Sequence, residues 1–213
     1  MLLLESEKKK LVEGLYKKGI KNREILRAIY EVPREKFISP ALRKFAYEDN
    51  ALPIECSQTI SQPYTVAYMT EALNLSKGQK VLEVGTGSGY QSAILAHVGA
   101  DVYTVERIKK LHDRARKILH ELGYNIHFKL DDGTLGWEEH APFDRIIVTA
   151  GAPEVPPTLI NQLKTGGRLV IPVGSVEHQR LYIIDKTSRG LSQKVDNYFK
   201  FVPLIGEKGW QFN

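Results

Sequence analysis

The run VLEVGTGSG at residues 81–89 constrains this chain more than any other. Four strand-forming residues pass directly into a glycine-spaced turn, and an apolar stretch of helical spacing follows. Strand, tight turn and helix N-terminus in that order open the ligand site of doubly wound α/β domains, where free N–H groups at the helix start meet the ligand. Gly85 and Gly87 leave the backbone bare where a Cβ would obstruct a ligand, and Gly89 lets the helix pack close to the strand. The spacing is G-x-G-x-G, and Tyr90 stands where the dinucleotide pattern needs its last glycine, which disfavours a pyrophosphate cradle. Glu106 ends the next strand and suits the two hydroxyls of a ribose as a bidentate acceptor, in NAD or in an adenosyl group. Asp132 and Gly133 close the strand after that, where an aspartate can accept from an adenine amino group. The expected cofactor set is Glu83, Gly85, Thr86, Gly87, Ser88, Gly89, Glu106, Arg107, Asp132 and Gly133.

Beyond residue 79 short apolar runs alternate with helical ones, the pattern of a mostly parallel sheet covered on both faces. It predicts strands at 80–84, 101–105, 126–130, 145–149, 168–173, 181–185 and 198–204, with helices at 90–98, 107–122 and 155–164. The last two strands leave no room for a helix between them and should pair antiparallel. Upstream, apolar spacing predicts two helices within 5–31, broken at residues 19–22, and a third at 64–75; the stretch DNALPIECSQTISQP reads as irregular. The expected fold is a Rossmann-like, doubly wound α/β/α sandwich with a seven-strand sheet and an N-terminal helical segment. At 213 residues it reads as one domain, 1–213, with N-terminal helices and a substrate loop in 1–62 and the cofactor-binding core in 63–213.

Composition narrows the setting. Neither a signal-peptide core nor an apolar run long enough to span a membrane is present, so the chain is expected in the cytoplasm. A lone cysteine, Cys56, makes no internal disulfide, suits a reducing compartment and reads as a small buried hydrophobe. Residues 1–50 carry 12 Lys or Arg against 8 Asp or Glu, so their basicity is diluted by interspersed acids and reads as a solvated helix face. No metal-binding motif is found.

The six histidines accompany no catalytic motif. An acceptor that is already ionised, such as a carboxylate with a pKa near ~4, needs no general base but does need donors. Thr59 and Ser61, two residues apart just before a helix, can point the same way and supply two hydroxyls, although such a pair also suits a helix cap.

The segment AYEDNALPIECSQTISQPYTVAYM, residues 46–69, resembles the signature of the protein-L-isoaspartate O-methyltransferases among class I S-adenosylmethionine enzymes, in which an aromatic-Asp segment leads into Q-T-I-S-x-P and a Val-Ala-x-Met helix. VPREKF at 32–37, the glycine loop, the run from Pro142 to Gly174, and FVPLIGEKGW at 201–210 agree with it. The resemblance implies methyl transfer from S-adenosyl-L-methionine, giving S-adenosyl-L-homocysteine, to the free carboxylate of L-isoaspartyl and D-aspartyl residues in damaged proteins and peptides. It also implies that Ser61 is the active-site residue with Thr59 beside it, that Gln58, Ile60 and Val66 accompany them, and that Val202, Pro203, Leu204 and Ile205 form a substrate-side wall. Where the family commonly has glycine before Q-T-I-S this chain has Ser57, preceded by Cys56, and serine tolerates a positive φ poorly.

Two rivals are set against this. A nucleic-acid methyltransferase would suit the basic N-terminal residues, but amino-group DNA methylases carry an acid or Asn before Pro-Pro-aromatic after the fourth strand. Here Thr149-Ala150-Gly151-Ala152-Pro153 stands there, and Pro156-Pro157 lies between Val155 and Thr158. RNA or another small substrate remains as an alternative acceptor. The other rival is a non-enzymatic nucleotide-binding module. The expected partners are damaged proteins and peptides, with no nucleic acid, no membrane and a monomeric chain.

Overall fold

In the computed structural model, which describes residues 2–211, Asn22 separates the first two helices. α1 (Leu2–Lys17) stops before Gly19, whose φ is 106°, and α2 (Arg23–Glu31) starts where the Asn22 side chain accepts from the N–H groups of Glu24 and Ile25. Ile25, Leu26, Ala28 and Ile29 bury one face of α2. Pro33 forces Val32 into extended backbone and ends the helix. Two short 3-10 turns, Arg34–Lys36 and Pro40–Phe45, lead into the segment expected to be irregular. That segment holds a small antiparallel ladder of β1 (Leu52–Pro53) with β2 (Thr59–Ile60), Leu52 opposite Ile60. α3 (Pro63–Ala72) then begins with proline at its first position, where the missing N–H costs nothing.

The remaining elements are β3 (Lys80–Val84), α4 (Tyr90–His97), β4 (Asp101–Glu106), α5 (Lys109–Glu121), β5 (His127–Leu130), β6 (Phe143–Val148), α6 (Pro157–Gln162), β7 (Leu163–Gly174), β8 (Gln179–Thr187) and β9 (Gly190–Phe199). They build one seven-stranded sheet in the order β5-β4-β3-β6-β7-β8-β9, parallel from β5 to β7 and antiparallel from β7 onward. The doubly wound sandwich expected from the sequence is therefore present. Alternation divides the core: Val81 and Val102 face a cluster shared with α1 to α5, whereas Leu82, Val84 and Val105 face a second cluster with Leu159 of α6.

The strand order reverses at β3, so its carboxyl end, with the glycine loop, sits at the switch point where such sheets bind ligands. Several boundaries differ from expectation, two of them with a clear physical reason. The seventh strand is Gly190–Phe199 and not 198–204; it is a sheet edge, largely exposed, so it lacks the apolar run that marks a buried strand. The helix expected at 155–164 spans only Pro157–Gln162. Leu163 already pairs with Phe143, and the register then shifts around Gly166, at φ 85°. Met1, Phe212 and Asn213, at the ends of the 1–213 domain expected above, lie outside the described residues. Among the described residues no helix is long and apolar enough to cross a membrane.

Candidate active site

Each glycine of the loop has a separate task. Gly85 takes φ 97°, its N–H donates to the Val105 carbonyl at 2.9 Å, and its carbonyl accepts from Thr149 Oγ1 at 2.6 Å; a Cβ there would stand 2.5 Å from that hydroxyl oxygen. Thr149, 64 residues downstream, thus locks the turn at its first residue. Gly87, at φ 54°, faces open space. Gly89, at φ 89°, packs on Leu119 and Ala115 of α5 and starts α4, the close helix packing its position suggested.

Glu106 lies at the cleft with one oxygen accepting from Gly87 N–H at 2.9 Å and the other from Ile108 N–H at 2.8 Å. A carboxylate has about four acceptor sites, so lone pairs remain for ribose hydroxyls. Glu83 is placed differently from expectation. It is fully buried and does not line the cleft. Alternation turns it to the face of β3 shared with Val81, under α4, and not toward the sheet's carboxyl end. Its Oε2 accepts from the Ser92 hydroxyl and from Thr104 Oγ1 at 2.7 Å. Because the Thr104 hydroxyl proton is used there, Thr86 Oγ1 donates to Thr104 at 2.7 Å, and a relay runs from the glycine loop down to the buried acid. Burial pushes the Glu83 pKa from 4.5 up to about 7; the Ser92 and Thr104 hydrogen bonds oppose the rise and the charge on Glu106 adds to it.

Asp132 also lies off the cleft. One oxygen accepts from the N–H and hydroxyl of Thr134, at 2.8 and 2.7 Å, and the other from Glu207 N–H at 2.7 Å. The adenine amino group expected to meet it is replaced by a tie to the C-terminal segment, and a Cβ at Gly206 would stand 2.1 Å from this carboxylate. Gly133 does line the cleft, as do Thr86, Ser88 and Arg107.

Opposite the glycine loop, Gln58, Thr59, Ile60, Ser61 and Val66 line the same cleft. Neither the Thr59 nor the Ser61 hydroxyl has a partner among the described residues, which leaves both donors free for an anionic group. The cap reading fails, since Gln62 occupies the N-cap of α3 without a side-chain bond. The hairpin supporting these residues turns through Cys56, at φ 59°, and Ser57, at φ 56°, with Gln58 N–H donating to the Glu55 carbonyl. Such turns favour glycine at both central positions. Cys56 is exposed, not the buried hydrophobe its residue type suggested, because the turn carries it outward. A left-handed non-glycine residue costs about 1–2 kcal/mol, partly offset by the ~0.4–1 kcal/mol that a glycine adds to unfolded-chain entropy. Ser57→Gly should therefore stabilise the fold by about 0.5–1 kcal/mol, seen as a Tm rise of ~1–3 °C in a thermal melt. A lower Tm would show that Ser57 is not strained.

The far wall is Val202, Pro203, Leu204 and Ile205 with Phe201. It is held from the loop after β6 and from the start of β8: Gly151 N–H donates to the Val202 carbonyl, Leu204 N–H and Trp210 Nε1–H both donate to the Gly151 carbonyl, and Gln179 accepts from Phe201 N–H. Sequence reasoning missed Thr65, Met69, Val84, Tyr90, Gln91, Val105, Ile108, Leu111, Thr149 and Ala150, which complete the lining of the cleft. Among the described residues no three His, Cys, Asp or Glu side chains gather as a metal ligand set.

Comparison with known proteins supplies the family. The profile of the protein-L-isoaspartate(D-aspartate) O-methyltransferase family matches residues 6–209. A protein-L-isoaspartate O-methyltransferase of Dictyoglomus thermophilum is 53% identical over 208 residues, covering 97% of this chain and 94% of its own length, and one of Chlorobaculum tepidum is 49% identical over 209 residues, covering 97% and 98%. A solved structure named protein-L-isoaspartate O-methyltransferase superposes with a TM-score of 0.85 at 34% identity, covering 95% of this chain and 67% of that one. A Plasmodium falciparum chain named for the same activity, solved with S-adenosyl-L-homocysteine, gives 0.80 at 27% identity, covering 92% and 97%. With nearly its whole length matched, the chain belongs to the protein-L-isoaspartate(D-aspartate) O-methyltransferase family.

Proposed function

We propose that the chain uses S-adenosyl-L-methionine to methylate the free α-carboxylate of L-isoaspartyl residues, and the side-chain carboxylate of D-aspartyl residues, in damaged proteins and peptides. The observation that carries this reading is that two unpartnered hydroxyls, Ser61 and Thr59, face the same cleft as the glycine loop and Glu106. The glycine loop and Arg107 border the cofactor side, with Glu106 offering its free lone pairs to the ribose; when bound, the cofactor supplies a methyl group on a sulfonium. Thr59 and Ser61 hold the acceptor carboxylate, and Val202 to Ile205 wall in the peptide that carries it. No base is required, because the acceptor is ionised at neutral pH. The family's activity supports the substrate, and residues 1–213 act as one methyltransferase unit, a cytoplasmic monomer that takes protein and peptide substrates and not nucleic acid.

With methyl-labelled S-adenosylmethionine, label is expected to enter an isoaspartyl peptide and not its normal aspartyl twin, and to leave as methanol under mild base, as an ester does. Equal labelling of the two peptides, or label that survives base, would overturn the reading.

A further inference from the structure

Arg34 is wholly buried, with no surface exposed to solvent, and it forms no ion pair with any described carboxylate. Its guanidinium donates to three backbone carbonyls on two separate stretches of chain: Nη1 to Ala46 at 2.6 Å and Nη2 to Asn50 at 3.0 Å within one turn, and Nη2 to Ser61 at 3.1 Å. Nε has no partner among the described residues. Its Cζ lies 5.6 Å from the ring centroid of Tyr90, the first residue of α4, which follows Gly89 and lines the cleft. A buried cation without an ion pair is costly to desolvate, a cost the carbonyls, the Tyr90 ring and the charge of Asp49 offset, and its donors tie the turn at residues 46–50 to Ser61.

One of those carbonyls belongs to Ser61. Ser61 lies between a two-residue strand and a proline-started helix, so little regular structure holds its backbone. We infer that Arg34 is a positioning residue for methyl transfer: its planar fork fixes the Ser61 backbone, and through it the Ser61 hydroxyl, relative to the helix that follows the glycine loop. The inference rests on the proposed role of the Thr59 to Ser61 loop in holding the acceptor carboxylate. The arginine fork reaches these three carbonyls from two nitrogens held in one plane. Lysine keeps the charge but presents a single ammonium, and glutamine keeps two N–H donors without a buried charge.

The chain's one cysteine makes the position of the loop measurable. Cys56 is exposed at the tip of the hairpin that carries Thr59 and Ser61, so a nitroxide attached there reports the loop's motion whether or not methyl transfer occurs. In Arg34→Lys and Arg34→Gln the nitroxide spectrum should show a more mobile label than in the unsubstituted chain. In the unlabelled variants kcat on an isoaspartyl peptide should fall by about tenfold or more, while the Kd of S-adenosylhomocysteine stays within about threefold, since the glycine loop keeps its own bonds to Val105, Thr149 and Glu106. Should the lysine variant fail to unfold cooperatively, the glutamine variant, which buries no charge, carries the test alone. An unchanged nitroxide spectrum overturns the inference, and so does a loss of S-adenosylhomocysteine affinity as large as the loss of turnover, which marks Arg34 as general support for the fold. Absence of isoaspartyl methylation in the unsubstituted chain would instead defeat the functional reading and leave the loop measurement standing.

Discussion

Ser61→Ala is expected to lower turnover on an isoaspartyl peptide by about 10- to 150-fold while the affinity for S-adenosylhomocysteine stays within about threefold. The range is that of a hydrogen bond to a charged group, ~1.5–3 kcal/mol, expressed as a rate. The origin of the effect is specific to this chemistry. As the new C–O bond forms the carboxylate gives up its negative charge, so a hydrogen bond donated to it weakens toward the transition state. Such a bond cannot accelerate the step by stabilising developing charge; it does so by orientation. The Ser61 hydroxyl, without a partner among the described residues and set on a backbone held by Arg34, can bind the oxygen that does not attack and leave the other aimed at the methyl carbon. Loss of the hydroxyl should raise KM and lower kcat together, because binding and aim depend on the same bond. Initial rates over a range of peptide concentrations, with calorimetric titration of S-adenosylhomocysteine, separate the two. An unchanged kcat/KM would remove Ser61 from the machinery.

The parts of the site that were legible in the sequence are those whose meaning is local. β3, the three loop glycines and the acid ending β4 are fixed by spacing within about one βαβ unit, and the structure places them at the switch point. Thr59 and Ser61 were legible because two hydroxyl residues two apart before a helix are a local pattern, and both residues line the cleft, together with Gln58 and Ile60. What escaped is what depends on contacts far apart in sequence. Thr149 closes the first glycine turn from 64 residues away, Gln179 holds Phe201 from 22, and Arg34 reaches Ser61 across 27, none of which leaves a mark on local periodicity. Glu83 and Asp132 show the opposite error. Each sits in a motif that points to a ligand, yet alternation sends one under α4 and a turn commits the other to Thr134 and Glu207. A carboxylate beside a binding loop serves the loop's own donors first when those donors are nearer than the ligand.

Glu83 gives the largest stability effect. Its folded pKa, about 7, lies well above its ordinary value of 4.5, and desolvation is the principal cause. Below pH 4.5 the carboxyl is neutral in both folded and unfolded chains and costs nothing by ionisation. Between pH 4.5 and 7 the folded chain keeps a proton that the unfolded chain has released, so stability falls as pH rises through this window. Above pH 7 both states are ionised and the whole penalty remains, on the order of 3 kcal/mol at 1.36 kcal/mol per pKa unit; full burial leaves no solvent to screen it. Glu83→Gln offers an oxygen to Ser92 and Thr104 and cannot ionise. Urea melts at pH 5, 6, 7 and 8 should show the unsubstituted chain losing about 2–3 kcal/mol relative to the variant across the series, with the titrating groups not coupled to Glu83 cancelling between the two proteins. Parallel stability curves would mean that the acid ionises at its ordinary value. Because the relay from Thr86 through Thr104 ends on this carboxyl, the loss of stability near neutral pH falls on the structure that holds the glycine loop. The chain keeps an ionisable acid beneath its binding loop, and the pH series measures what its ionisation costs the fold.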